Sequence, residues 1–127
     1  TVEMRSPDAS ANVYLLMASL AVACRYGFSL KDGVKVAERT YVNVNIHKKE
    51  NEDLLNSLDT LPDSCAASAD CLEKQRDIYE EFGVFSPAIL DGILSDLKSF
   101  NDRTLRKDIS NDPAKIAELV NRYFYCG

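Results

Sequence analysis

From Val13 to Cys24 every residue except Ser19 is apolar. A helix built from such a run has no polar face to turn to water, so it needs cover on every side. The run is shorter than the roughly 20 apolar residues a membrane span requires, and Arg25-Tyr26-Gly27 comes directly after it. It therefore predicts a buried helix, with Gly27 as its stop and Cys24 as a small core residue. A protein that hides such a helix must pack further elements around it.

Those elements are legible downstream. Ser64, or Asp63 before it, can cap a helix whose apolar stripe is Ala69, Leu72, Tyr79 and Phe82, closed by Gly83. Ser86 then stands before Pro87, and Asp112 before Pro113. Both pairs are cap-then-proline starts, where the missing proline N–H loses nothing. Their apolar stripes are Ile89, Leu90, Ile93, Leu94, Leu97 and Phe100, then Ile116, Leu119, Val120, Tyr123 and Phe124. A short helix carrying Leu54, Leu55 and Leu58 is expected over 51–58. At the start of the chain, Val-Glu-Met-Arg over residues 2–5 alternates with the strand period. Ser6-Pro7-Asp8 is a break, after which Asp8 or Ser10 is a candidate cap. Residues 41–46 also alternate and read as a second short strand or as an extended surface segment. The expected class is mainly α, with one N-terminal strand.

The chain has 127 residues, enough for one domain with a core. It begins at Thr1 with neither an initiator Met nor a secretory signal, and is expected to be a piece of a larger protein. Its net charge of −5 disfavours nucleic acid and anionic membrane surfaces as partners. Of the cysteines at 24, 65, 71 and 126, Cys65 and Cys71 stand too far apart for a zinc pair. They read as reduced structural thiols, which places the chain in the cytoplasm. His47, the one histidine, lies in the charged run His-Lys-Lys-Glu-Asn-Glu and reads as a surface residue. No serine has a partner histidine nearby, and no phosphate-binding loop or metalloprotease motif is present.

Chemistry is left to Glu3 and Arg5. On a strand they share one face roughly 6–7 Å apart. A carboxylate there suits a hard divalent cation, and a guanidinium beside it suits a carboxylate or phosphate. Spacing alone favours the plainer reading, an exposed edge strand with a surface ion pair.

Three blocks of sequence resemble one family. Val2 to Leu15, V-E-M-R-S-P-D-A-S-A-N-V-Y-L, is similar to the E-x-R-x-P-D-x-x-x-N-P-Y-L stretch of glutamine synthetases. Leu61-Pro62-Asp63-Ser64, and then Leu72-Glu73, resembles that family's L-P-x-S-x-x-x-A-x-x-x-L-E segment, with Ser68 in place of Ala. Gly83-Val84-Phe85, and then Leu90-Asp91, resembles its G-V-F-x-x-x-x-I-D element. The chain departs from the pattern at Val13, where the family usually has Pro. It also lacks the N-L-Y-D-L-P surroundings of a regulatory tyrosine, so Tyr41 is not expected to be a modification site.

The resemblance implies the C-terminal part of the family's α+β catalytic domain. Residues 1–127 would form a single unit, with 1–6 as a barrel strand and 7–127 as a helical region. It implies that Glu3 is a ligand of an active-site divalent metal and that Arg5 contacts glutamate and the transferred phosphoryl group. The family uses ATP and Mg²⁺ or Mn²⁺ to join glutamate and ammonia through a γ-glutamyl phosphate. Its members assemble as homo-oligomeric rings, usually dodecamers. The other metal ligands, the ATP-contacting segment and further substrate arginines lie upstream in the family, so this chain alone is expected to be inactive, with no complete catalytic set. The rival reading is a small helical binding or scaffolding protein whose acidic helices after Pro62 meet a partner.

Overall fold

A computed structural model describes residues 3–4, 6–8 and 10–124. Helix α1, Val13–Ser29, is the long apolar helix expected from the sequence, and it runs through Gly27 rather than ending there. The backbone N–H of Leu30 closes it on the Gly27 carbonyl at 3.3 Å. The next helix, α2 (Gly33–Thr40), folds back at once. A Cβ on Gly33 would lie 2.9 Å from the Gly27 carbonyl oxygen, so this tight turn favours a residue with no side chain. Ser19, the polar residue inside the apolar run, donates its hydroxyl to the Leu15 carbonyl at 2.7 Å and is satisfied within its own helix.

Residues 41–46 form no strand: they run irregularly into a turn, and the described residues contain no strand at all. Alternation makes a strand only where a neighbour completes its hydrogen bonds, and none does so among the described residues. The expected N-terminal strand falls partly on Val2 and Arg5, which lie outside the described residues; Glu3 and Met4 have no regular secondary structure.

A 3₁₀ turn at Lys49–Asn51 leads into α3 (Glu52–Ser57), close to the helix expected there. The single helix expected between 63 and 83 is two, α4 (Cys65–Lys74) and α5 (Arg76–Glu80). They break at Gln75, whose N–H is shared between the carbonyls of Cys71 and Leu72 at 3.2 and 3.1 Å. No Gly or Pro marks that break. It lets Arg76 reach across to α6 (Pro87–Ser99), where its Nη1 lies 2.7 Å from Asp91 Oδ1 and its Nη2 3.3 Å from the Pro87 carbonyl. The same guanidinium pairs with Glu80 through Nε.

Phe82 also departs from expectation. It does not join the buried stripe but is exposed, with φ 61° and ψ 14°, and Gly83 comes next at φ 66°. Left-handed backbone is uncommon for a bulky side chain. Here Arg25 of α1 stacks over the ring at 4.4 Å, bonds the Ile78 carbonyl at 3.3 Å and pairs with Glu81 at 2.9 Å. The chain ends with α7 (Leu105–Ile109), which no sequence pattern announces, and α8 (Pro113–Tyr123).

The packing centre joins α1 to the second half of the chain. Val22, Phe85 and Leu90 form the buried cluster, with Leu15, Ala18, Leu72, Ile78, Tyr79 and Ile93 packed against it. The Phe85 ring meets Tyr79 edge-on at 5.9 Å. In α4 the buried residues are Ala66 and Ala69, and in α6 they are Leu90 and Leu94, so small residues face large ones where these two helices pack.

Burial of α1 on every side is not reached among the described residues. Val22 is its one buried residue, while Val13, Tyr14, Met17 and Phe28 are exposed. Cys24 is likewise exposed rather than a core residue, because it lies on a side of α1 away from the Val22 contact. No single helix is long and apolar enough to cross a membrane; α1 and α2 meet that test only as a pair bent by 113°.

Leu90→Ala is expected to lower stability by about 2–5 kcal/mol, because Leu90 is 1% exposed and leaves a cavity when truncated. Ile89→Ala, one residue away at 44% exposure, is expected to lower it by under about 1 kcal/mol. Urea midpoints of the two variants measured side by side check the difference.

Candidate functional site

Glu3 is exposed and sits in irregular chain ahead of α1. Arg5 lies outside the described residues, so its placement relative to Glu3 is not described. The turn between this stretch and α1 is well built. Asp8 Oδ1 accepts from the Ser10 backbone N–H at 2.8 Å and from the Ser10 hydroxyl at 2.6 Å. The Asp8 carbonyl accepts from the Ala11 N–H at 3.1 Å. This is an aspartate-led turn, and the Ser10 bonds hold the Asp8 carboxyl below its ordinary range.

The cap of α1 is therefore neither Asp8 nor Ser10 but Asn12. Its Oδ1 accepts from the N–H groups of Tyr14 and Leu15, each at 3.1 Å. Asp8 and Asn12, both part of the E-x-R-x-P-D-x-x-x-N pattern, thus build the turn and the cap through which the chain enters α1.

Val13 is explained by the same geometry. It occupies the first helical position, and the Asn12 cap uses the N–H groups of the two residues after it. Asn12 is extended at φ −63° and ψ 109°, a conformation that a proline at the next position also favours. Proline and valine are interchangeable there without loss of a cap bond.

The other two sequence blocks serve packing. Ser64 caps α4 by accepting from the Ala67 N–H at 3.1 Å, and Glu73 meets Lys98 at 2.9 Å. Phe85 and Leu90 are core, and Asp91 receives Arg76. The bonds from Asp91 and then Glu80 raise the Arg76 pKa further above its already high value.

Two residues that the sequence does not single out complete this frame. Asp102 accepts from the backbone N–H of Cys65 at 2.7 Å and of Ala66 at 3.1 Å. With Ser64 on Ala67, these bonds satisfy the first three N–H groups of α4. Arg103 bonds Asp70 at 2.6 Å and the Ala66 carbonyl at 3.5 Å. No local signal announces them, since their partners stand 33 to 37 positions away. The two backbone bonds hold the Asp102 carboxyl below its ordinary range, while desolvation, then Asp102 itself, pushes the Cys65 thiol up.

Among the described residues no three His, Cys, Asp or Glu side chains converge to hold a metal ion. Glu3 is one oxygen donor where a hard divalent ion takes several, so the described residues do not by themselves make a metal centre. His47 is exposed, its backbone N–H donating to Asn45 at 3.0 Å, and Tyr41 is exposed as well.

The family described as "Glutamine synthetase, catalytic domain" matches residues 1–114. The chain belongs to the glutamine synthetase family. It is 28% identical over 126 residues to a glutamine synthetase of Thermococcus kodakarensis and, over the same length, to one of Pyrococcus abyssi. It is 26% identical over 128 residues to one of Pyrococcus horikoshii. Each alignment covers 98% of this chain and 28% of the relative, so the chain spans little more than a quarter of the enzymes it resembles. It corresponds to the mainly helical C-terminal part of the glutamine synthetase catalytic domain. No solved structure matches it.

Asn12→Ala is expected to cost about 1 kcal/mol through loss of the α1 cap. Val13→Pro is expected to keep the helical circular dichroism and to leave the thermal midpoint unchanged or slightly raised. A fall in helicity with Val13→Pro would contradict the cap geometry. The depressed Asp102 pKa also has a definite sign. Its stabilisation is present above the ordinary carboxylate value of about 4 and is lost as pH falls through the lower folded value. The thermal midpoint of Asp102→Ala should therefore fall less steeply with acidification below pH ~4 than that of the unaltered chain.

Proposed function

We propose that this chain serves a glutamate–ammonia ligase by contributing Glu3 as one ligand of a divalent metal and Arg5 as one substrate-binding arginine. The observation that carries the reading is the family match from residue 1, which includes both residues in the E-x-R pattern. In the proposed enzyme, residues 1–6 belong to a barrel strand and 7–127 buttress that barrel. The turn at Asp8 and the cap at Asn12 carry the orientation of α1 to the stretch that bears Glu3 and Arg5.

The guanidinium of Arg5 offers a planar fork of N–H donors, which matches a glutamate carboxylate or a phosphoryl group in transfer. Mg²⁺ or Mn²⁺, bound together with ATP, would supply charge neutralisation for that transfer. Glu3 alone does not hold such an ion, so the remaining ligands come from outside this chain. The substrates proposed are glutamate, ammonia and ATP, and the proposed setting is a cytoplasmic ring of identical subunits, with nucleic acid and membranes excluded as partners.

The test is ADP release that depends on both glutamate and ammonia, with Mg²⁺ or Mn²⁺ present. The 127-residue chain alone is expected to give none. Replacing the matching segment of the Thermococcus kodakarensis relative with this chain should preserve turnover. In that active chimera, Glu3→Gln or Arg5→Ala should lower the rate by about 10²–10³. Turnover by the chain alone, or an active chimera indifferent to both substitutions, would overturn the reading.

A further inference from the structure

Among the contacts of α1, two kinds differ in what they can fix. Val22 is buried, with Leu15 and Ala18 packed in the same cluster, and apolar contact of this sort has no preferred direction. Arg25, three residues after Val22 and so on the same side of the helix, makes contacts that do have one. Its Nη2 donates to the Ile78 carbonyl at 3.3 Å, its Nη1 pairs with Glu81 at 2.9 Å, and its guanidinium lies over the Phe82 ring at 4.4 Å. These partners run from α5 into the corner before α6. The clamp carries two costs. Phe82 has left-handed backbone at φ 61°, which a bulky side chain takes only where its surroundings impose it. The Arg25 Nε–H is buried without a hydrogen-bond partner among the described residues, a desolvated donor left unmatched. The Phe82 ring gains little burial in return, at 78% exposure. Neither cost serves stability, and both fit a contact whose role is to fix position.

We propose that Arg25 is a positioning residue for the ligase: with Phe82 as its platform, it sets the roll of α1 about its own axis, and so the placement of Glu3 and Arg5 on the stretch that leads into that helix. The inference rests on the roles proposed above for Glu3 and Arg5. Arg25 stands roughly 18 Å along the helix from Val13, so it acts on them through α1 rather than by contact. The Asn12 cap and the Asp8 turn carry the roll of the helix onward to that stretch. A displacement of about 1 Å at reacting groups is enough to lower a rate by ~10²-fold.

The Thermococcus kodakarensis chimera that carries this chain tests the proposal. Arg25→Gln should raise the KM for glutamate and for Mn²⁺ by about tenfold or more, because Arg5 and Glu3 are the groups displaced, and leave the KM for ammonia unchanged. Phe82→Gly separates position from stability. Glycine takes left-handed backbone freely, so the thermal midpoint should hold or rise, while loss of the ring frees the guanidinium and raises the same two KM values. Lys98→Gln, which breaks the exposed pair with Glu73 between α4 and α6, should leave both values unchanged. Mn²⁺ binding followed by electron paramagnetic resonance reads the same contrast without turnover. KM values that simply follow the thermal midpoint across the three variants would make Arg25 a structural residue and overturn the proposal. Unchanged KM values and Mn²⁺ affinity in Arg25→Gln and Phe82→Gly, with Glu3→Gln and Arg5→Ala still disabling, would also overturn it and leave the roles of Glu3 and Arg5 standing. Indifference to Glu3→Gln and Arg5→Ala would instead sink those roles, and this proposal with them.

Discussion

Everything else in this molecule hangs on the packing of α4 against α6. The buried positions of α4 are alanines and those of α6 are leucines, so two short helices come close without steric conflict. Charge then fixes how they lie. Arg76 ties α5 to Asp91 and the Pro87 carbonyl, and Lys98 reaches Glu73 near the other end. Val22 of α1 and Phe85 close one side of this pair and make the core continuous. Exposed ion pairs contribute little singly. Burial of apolar side chains such as Leu90 and Phe85 outweighs such pairs.

That frame gives the family motifs a meaning their spelling conceals. Two of the three blocks hold Ser64, Leu72, Glu73, Phe85, Leu90 and Asp91, and each of these caps, packs or pairs. Only the first block carries residues suited to metal and substrate. Even there, Asp8 and Asn12 do mechanical work, bending and capping the chain just after the stretch that bears Glu3 and Arg5. Under the proposed function, most of what this segment offers is thus support for two residues at one end.

The apolar surface of α1 fits the same account. The helix is apolar all round, yet Val22 is its one buried residue, and Val13, Tyr14, Met17 and Phe28 face outward. A surface of that kind is costly in water and is usually covered by a partner. The chain spans 28% of its curated relatives' length, so the proposed ligase has ample other sequence from which such cover can come.

The sequence by itself determined the helical class, the cap-and-proline starts at Ser86 and Asp112, the long helix after Val13 and the family. Each rests on neighbours a few positions apart, which a linear pattern records faithfully. It also singled out Glu3 and Arg5, because the motif that contains them is contiguous. Tertiary structure alone decided the break at Gln75, the outward turn of Phe82, the exposure of Cys24 and the grip of Asp102 and Arg103 on α4. It also decided that the alternation over 41–46 makes no strand. In each case the deciding partner, present or missing, lies outside the local sequence: Asp91 for Arg76, Arg25 for Phe82, the Cys65 and Ala66 amides for Asp102, and for residues 41–46 a pairing neighbour that the described residues do not supply. Periodicity reports which face of an element is apolar, and only packing determines whether anything arrives to cover or pair with it.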